Sequence, residues 1–276
     1  RYQYLATVAA TILIGTLLVP GRNAGYETFL IDGHRGFYNS AWIGASYALL
    51  AAMLLSLFGF YNVKSAVERD RATRVGEIVA TTPLGRVDYS LGKTLSNFLV
   101  LGSMTAILCV TSVAMQFVRG ESYALHLGQI IAPFALVVLP LMAMVAAIAV
   151  FFEMIPWLRG GLGNVAYFFL WIWYLVWSVQ SQLRPVPWWR DMLGLNLVMR
   201  QVWQALRAVD PHASPNSVEI GALVGRKTVP HLFTFAGFHW PAGDVFGRLA
   251  WFGVALVVAA GAALFFDRFA RPVRTA

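Results

Sequence analysis

Two aspartates and three histidines in the last third of the chain could together bind a metal or transfer protons: Asp210, His212, His231, His239 and Asp244. Carboxylates and imidazoles are common ligands of transition metals, but this set contains no His-x-x-x-His pair that would place two imidazoles on one helix face. The sequence therefore predicts no metal site, and an enzyme that uses this His/Asp set is the weakest of the functional alternatives.

A second candidate is the tetrapeptide Leu91-Gly92-Lys93-Thr94, which ends like a phosphate-binding loop. That loop requires a glycine five positions before Gly92, where this chain has Val87, and no strand precedes it. We expect Lys93 instead to extend from the start of a membrane helix towards the aqueous interface. The chain itself is therefore predicted to have no ATP-binding motif.

The composition indicates the environment in which these residues act. Of the 276 residues, 58% are hydrophobic and only 12% are charged, about half the usual ~25% charged share of a soluble domain. So few charges cannot cover a water-exposed surface or keep a chain disordered, and a single cysteine excludes a disulfide scaffold. The formal net charge of +8 therefore indicates contact with anionic membrane lipid and not with nucleic acid.

Six stretches without Asp, Glu, Lys or Arg are long enough to cross the ~30 Å hydrocarbon core as helices. We predict membrane spans at about 3–20, 40–61, 94–117, 129–152, 164–182 and 249–266. No Asp, Glu, Lys or Arg lies inside these ranges, whereas ion-coupled carriers and pumps generally place such groups in the membrane. The predicted fold class is an all-α transmembrane bundle of six helices, forming one domain over residues 1–276.

The distribution of basic residues predicts the orientation of this bundle. The connection between the second and third spans contains six Lys and Arg residues, whereas the short loops on the opposite side contain Arg22, Arg35 and Arg119. Because Lys and Arg are enriched in cytoplasmic loops, we predict that both chain ends are cytoplasmic. The first apolar run ends in Leu18-Val19-Pro20-Gly21 without a small-x-small cleavage site, so we interpret it as a span and not as a signal peptide.

The cytoplasmic connection, residues 62–93, is predicted to form a short amphipathic helix and then a break. Val67, Val75 and Ile78 fall near one helical face, with charged residues elsewhere. Thr82 followed by Pro83 is typical of an N-cap and a first helical residue, so we expect a second helix to begin there and to continue into the third span. On these residues alone, a solvated connecting helix that needs no partner is the more common interpretation.

The predicted external segment, residues 184–246, begins with a helical pattern. Apolar residues recur at intervals of three and four positions: Met192, Leu195, Met199, Val202, Leu206 and Val209. This spacing is typical of a helix that lies in the membrane interface or covers the bundle from outside. The rest of the segment is rich in Pro, Gly, His and aromatic residues, and we assign it no regular structure.

The cytoplasmic connection also contains an ordered set of short motifs. These are Glu68-Arg69, Gly76-Glu77-Ile78, Thr82-Pro83-Leu84-Gly85-Arg86 and Gly92-Lys93. Their order resembles that in permease subunits of ABC type-2 exporters, which show an acidic-Arg pair, a Gly, a Thr-Thr-Pro-x-x-Arg element and a Gly-Lys entering the third span. The family has six spans with both ends inside and a large external connection between spans five and six. The topology of nearly the whole chain is similar, whereas the specific residues lie within 62–93.

The resemblance implies that the helix between spans two and three docks on a separate ATP-binding cassette ATPase subunit. The residues to which it gives this coupling role are Glu68, Arg69, Arg71, Arg74, Gly76, Glu77, Pro83 and Arg86. It also implies a second permease chain, as a homodimer or a heterodimer, and ATP and Mg²⁺ bound on the partner subunit. This chain would then be a non-catalytic subunit of an exporter in a prokaryotic cell membrane.

The family further leads us to expect a translocation path along spans two and five. Polar and aromatic side chains available there are Ser46, Tyr47, Ser56, Trp173 and Trp177. Because this set carries no charge, it favours a hydrophobic or amphipathic cargo. An ATP-independent channel or carrier is the alternative that the residues leave open.

Overall fold

A computed structural model describes residues 2–21, 24–64, 66–73, 83–179, 183–214, 217–223 and 230–266. In these ranges the chain is mostly helical. The helices are α1 (Tyr2–Leu17), α2 (Ser40–Val63), α3 (Ala66–Ala72), α4 (Arg86–Arg119), α5 (Leu127–Pro133), α6 (Leu139–Met154), α7 (Gly161–Val179), α8 (Leu195–Arg207) and α9 (Ala242–Ala262). A π-helical turn, Phe134–Val138, joins α5 to α6, and 3₁₀ turns lie at Trp188–Arg190 and Ala263–Phe265.

Five helical segments of the described chain are long and apolar enough to cross a membrane. They are Ser40–Asp70, Arg86–Arg119, Leu127–Met154, Gly161–Val179 and Ala242–Phe265. Their number and apolar character support a multi-pass α-helical membrane protein. The first predicted span forms α1, but its 16 residues are fewer than the ~20 that cross a bilayer of ordinary thickness. That α1 also crosses the membrane, which would give six spans in all, therefore stays a prediction.

The break before α4 differs from the prediction. Pro83 and Leu84 are not helical, and α4 begins at Arg86 with Gly85 as its N-cap. The predicted helix start at Pro83 is therefore wrong, and Thr82 lies outside the described residues. Asp88 gives the first turn of α4 a negative charge that favours the helix dipole, which explains why a helix can begin among charged residues.

The helices run between two ends of the bundle, and α6 lies at its centre. α6 contacts α2, α4 and α9, while α1 packs mainly on α4. We call the end that carries α3 the α3 end, and the opposite one the sheet end. α7 contacts α2 and α8 only sparsely, and most of its side chains are exposed.

The sheet end contains four strands, which corrects the all-α prediction. They are β1 (Tyr26–Ile31), β2 (His34–Gly36), β3 (Val218–Leu223) and β4 (His231–Phe233), in the order β3-β1-β2-β4. β1 pairs antiparallel with β2 and β3, and β4 pairs parallel with β2. Part of the segment that was assigned no regular structure thus forms strands, and these strands pair with strands in the connection between α1 and α2.

The helix predicted in the external segment is confirmed as α8. Leu195, Met199, Val202 and Leu206 of the predicted stripe are buried, whereas Val209 follows the helix and is 65% exposed. Gly194 begins α8 with a φ of 73°, a left-handed conformation that suits glycine. α8 therefore covers the sheet end of the bundle next to α2 and α7.

Candidate partner-docking site

α3 follows α2 closely and turns one face towards the bundle. Ala66 and Val67 are buried, Asp70 is half-buried, and the side chains of Glu68 and Arg69 are exposed. The predicted amphipathic helix is therefore confirmed over Ala66–Ala72. Its continuation, including predicted docking residues Arg74, Gly76 and Glu77, lies outside the described residues, as does the side chain of Arg71. Pro83 and Arg86 are exposed near the start of α4.

A buried carboxylate from α6 caps the N-terminus of α3. Glu153 is only 2% exposed, and its two oxygens accept hydrogen bonds from the backbone N–H groups of Ala66 (3.1 Å), Val67 (2.5 Å) and Glu68 (3.3 Å). The first N–H groups of a helix have no partner within it, and they carry the positive end of the helix dipole. Glu153 therefore satisfies these donors, and the positive end of the helix dipole stabilises its buried negative charge.

Among the described side chains of α3, Asp70 is the charged one that faces the bundle, and it contacts α4. The carboxylate of Asp70 lies 2.6 Å from the ammonium group of Lys93, and its Oδ2 accepts a hydrogen bond of 2.8 Å from the hydroxyl of Tyr89. Both partners come from the first turns of α4. Lys93, which the sequence predicts to extend towards the aqueous interface, thus contacts α3.

Apolar contacts complete the attachment of α3. Val67 is 1% exposed and packs in a cluster with Val150, Met154, Tyr89 and Phe266. The Tyr89 and Phe266 rings are stacked, with centroids 4.7 Å apart. Since Phe266 follows α9, this cluster joins α3 to α4, α6 and the end of α9.

The junction between α2 and α3 is tied to α7. The Lys64 ammonium group donates to the Asn164 side-chain oxygen (2.7 Å) and to the backbone carbonyl of Gly160 (3.1 Å). Nearby, the Arg159 guanidinium donates to the carbonyl groups of Glu153 and Met154, where a cation is favoured at a helix C-terminus. α3 is therefore connected to α2, α4, α6, α7 and the end of α9.

This arrangement suits the transmission of motion better than chemistry. The exposed face presents one acidic and one basic side chain, Glu68 and Arg69, which are suited to a partner of mixed charge. The buried face is attached to several membrane helices at once. Contacts on several sides therefore join α3 to the ends of these helices.

The predicted path residues do not share one surface within this chain. Ser46, Tyr47 and Ser56 are buried in α2. The Tyr47 hydroxyl donates to the Gly15 carbonyl (2.6 Å), and the Ser56 hydroxyl oxygen accepts from the Trp171 indole (2.8 Å). Tyr47 and Ser56 therefore take part in contacts between helices, whereas the buried Ser46 hydroxyl has no hydrogen-bond partner among the described residues.

Trp173 and Trp177 lie instead on the outer side of α7. Trp173 is 61% exposed, and the two indoles stack with centroids 5.9 Å apart. The Arg190 guanidinium covers the Trp177 ring at 4.4 Å. A path that includes both groups of residues requires either movement of α7 or a second chain beside it.

Buried ionisable residues at the sheet end have structural partners. The Glu121 carboxylate accepts from both terminal nitrogens of Arg35 and from the backbone N–H of Tyr38. Glu27 pairs with Arg35 at 3.3 Å and accepts from the Tyr38 hydroxyl. Burial raises the pKa of Glu27, against the opposing effect of Arg35. Burial also raises the pKa of the Tyr38 hydroxyl, with the Glu27 charge adding to it.

The external His/Asp set is dispersed. The His231 ring lies 5.3 Å from that of His34, and His34 Nε2 lies 3.7 Å from the Asp210 carboxylate, whereas Asp244 is 3.6 Å from Arg200. Within the described ranges, no three His, Cys, Asp or Glu side chains gather as metal ligands.

The buried carboxylate of the site, Glu153, was not identified from the sequence. Glu153 lies one residue beyond the predicted fourth span, at the end of a long run without charges. Arg248 similarly lies one residue before the predicted sixth span, 3% exposed and near Asp191. The available signal was a single charged residue at the end of an apolar run. Such a residue lies next to buried positions, and it can itself be buried only if it has a partner.

The sequence was compared with known proteins. No protein-family model matches it, and no curated protein sequence matches it significantly.

Proposed function

We propose that this chain is the transmembrane permease subunit of an ATP-driven exporter. The observation that carries the proposal is α3, which presents Glu68 and Arg69 outward and is fixed on its other side by Glu153, Asp70 and Val67. Such an element converts the movement of a bound partner into displacement of membrane helices. The proposal therefore assigns the energy source to a separate ATP-binding subunit, with its ATP and Mg²⁺.

The proposed topology has six spans with both chain ends in the cytoplasm of a prokaryotic cell. It treats α1 as an additional span in a locally thinned bilayer, since α1 runs from the α3 end to the sheet end alongside α4. The bias of Lys and Arg towards the connection that contains α3 supports a cytoplasmic α3 end. The sheet and α8 would then lie on the external side.

The proposed partner within the membrane is a second permease chain. α7 supports this assignment because its exposed side chains are large and apolar, among them Phe169 at 63% and Trp173 at 61%. The cargo would pass between the two permeases and, given uncharged side chains on this surface, would be hydrophobic or amphipathic.

Charge reversal on the exposed face of α3 tests the proposal. The chain is co-expressed and purified with the ATPase encoded beside it, and ATP hydrolysis is measured in vesicles. Glu68→Lys combined with Arg69→Glu is expected to abolish stimulation of the ATPase by the permease. Glu219→Lys, which reverses an exposed charge on β3 at the sheet end, serves as the matched control and should leave stimulation unchanged.

Two results would contradict the proposal. In one, the chain never captures an ATPase when it is expressed with its genomic neighbours. In the other, the double charge reversal leaves ATPase stimulation and transport unaltered while the protein is inserted normally, which would remove α3 as the docking element.

A further inference from the structure

An apolar cavity of about 300 Å³ lies between α1, α2 and α4. Ile14, Leu55 and Phe58 are among the side chains that form its walls. The few polar side chains at its margin are turned to the protein. The Thr11 hydroxyl donates to the Thr7 carbonyl at 2.8 Å, and the Asn62 amide group lies 3.8 Å from the Met104 sulfur. The cavity therefore offers hydrocarbon and almost no polar partner.

Water is a poor occupant for such a space. A buried water needs two to four polar partners, and apolar cavities of roughly half this volume stay dry and take up hydrocarbon ligands instead. An empty space of this size is also unfavourable, because the lining side chains lose their contacts. The occupant is therefore expected to be hydrocarbon.

The length and position of the cavity identify the form of that hydrocarbon. Along α2 the lining extends from Ala51 to Asn62, which is about 16 Å of helix at 1.5 Å per residue. This is close to half of the ~30 Å hydrocarbon core, or one leaflet. Asn62 marks the α3 end, so the cavity occupies the leaflet on that side.

The cavity is bordered by side chains that face the lipid. Two of the lining side chains, Phe58 on α2 and Ile14 on α1, are 58% and 36% exposed. We propose that the groove between α1, α2 and α4 binds one acyl chain of a phospholipid from the leaflet on the α3 side. The site does not depend on an ATPase partner.

Photolabelling tests this assignment. The purified full chain is reconstituted in phosphatidylcholine vesicles that contain a phosphatidylcholine with a diazirine in the middle of one tail. Illumination followed by peptide mapping is expected to place the label on Ile14, Leu55 and Phe58. Ala10→Trp, at a lining position of α1, should reduce this labelling roughly tenfold, since displacing the contacts of two methylene groups suffices for that factor.

The adjacent residue provides a matched control. Ala9 is exposed like Ala10 but does not line the cavity, so Ala9→Trp should label as the wild type does. Leu54→Trp blocks the groove from the α2 wall and should repeat the effect of Ala10→Trp. The proposal is overturned if both blocking variants label normally, or if the wild-type label lies only outside the groove. Cross-links between two copies at the groove, in place of lipid label, would also overturn it.

Discussion

Replacing Glu153 by glutamine tests whether one carboxylate holds α3 on the bundle. Glutamine keeps the length of the side chain and one oxygen, but it removes the negative charge and one of the two acceptors. Its amide group would point towards the N–H groups of Ala66, Val67 and Glu68, which are donors as well. The variant therefore replaces an attraction with a partial repulsion and leaves the packing volume nearly unchanged.

The expected cost follows from the hydrogen bonds that change. A hydrogen bond to a charged group contributes about 1.5–3 kcal/mol, and an anion at a helix N-terminus about 0.3–1 kcal/mol. Because glutamine retains one acceptor, we expect a loss of about 2 kcal/mol, which is roughly thirtyfold in an equilibrium constant. This loss concerns the equilibrium between attached and detached α3, and not the unfolding of the whole chain.

Amide hydrogen exchange measures that equilibrium directly. In lipid nanodiscs, the amides of Ala66, Val67 and Glu68 are expected to exchange roughly thirtyfold faster in Glu153→Gln than in the wild type. Glu121→Gln is the matched control, because Glu121 is also a carboxylate with backbone and side-chain donors but lies at the sheet end. It should leave the exchange of α3 unchanged.

The role assigned to Glu153 is refuted if Glu153→Gln leaves exchange at these amides at the wild-type rate. It is also refuted if Glu121→Gln accelerates them equally, since the effect would then reflect a general loosening of the bundle. On the proposed function, the same variant should lower stimulation of the ATPase without lowering the amount of inserted protein.

Three further substitutions have definite expected outcomes. Lys93→Met removes the ion pair with Asp70 and should accelerate α3 exchange roughly fivefold, which corresponds to about 1 kcal/mol for a partly exposed pair. Burial raises the pKa of Glu27 above its usual 4.5. The sheet should therefore be most stable below pH 4.5 and lose stability as the pH rises through the raised pKa. The exchange rate of the β1 amides should accordingly rise with pH in the wild type, and Glu27→Gln should remove this contribution to the pH dependence. Arg248→Ala leaves Asp191 buried without its cation and should lower the free energy of unfolding by about 3–5 kcal/mol, measured by denaturant titration.

The apolar helices could be predicted because the absence of charge is a local property of the sequence. Their limits could not be predicted in the same way. α4 begins at Arg86, eight positions before the predicted span, because a helix can continue through charged residues once it leaves the hydrocarbon. Arg248 and Glu153 are included in helices for the same reason, and their burial depends on partners elsewhere in the chain.

The sheet was missed although one signal for it was present. Asp32 and Gly33 both have positive φ, 50° and 70°, and they join β1 to β2. An Asp-Gly pair is a strong indicator of a tight hairpin, but β2 has only three residues and β1 does not alternate between polar and apolar. The pairing of β1 with β3 joins residues nearly 200 positions apart, such as Phe29 and Ile220, which no local pattern reveals.

The residues of the candidate site also differ in whether the sequence could identify them. Glu68 and Arg69 belong to a short motif and could be singled out from the sequence. Glu153 could not, because its role depends on a contact with Val67 across 86 positions of the chain. A local motif can single out the exposed residues of α3, whereas the residues that attach α3 to the bundle are defined only by the packing of the helices.

α2 connects the candidate docking site to the sheet end through one continuous helix of 24 residues. At the sheet end, the Asn39 side-chain oxygen accepts from the Trp42 backbone N–H, and its amide group donates to the Phe235 carbonyl, each at 2.9 Å. At the α3 end, Lys64 fixes the same helix to α7. Because α2 is held at both ends, a displacement of α3 cannot be absorbed by fraying at either terminus. On the proposed function, movement of the ATPase would therefore reach the external sheet through α2.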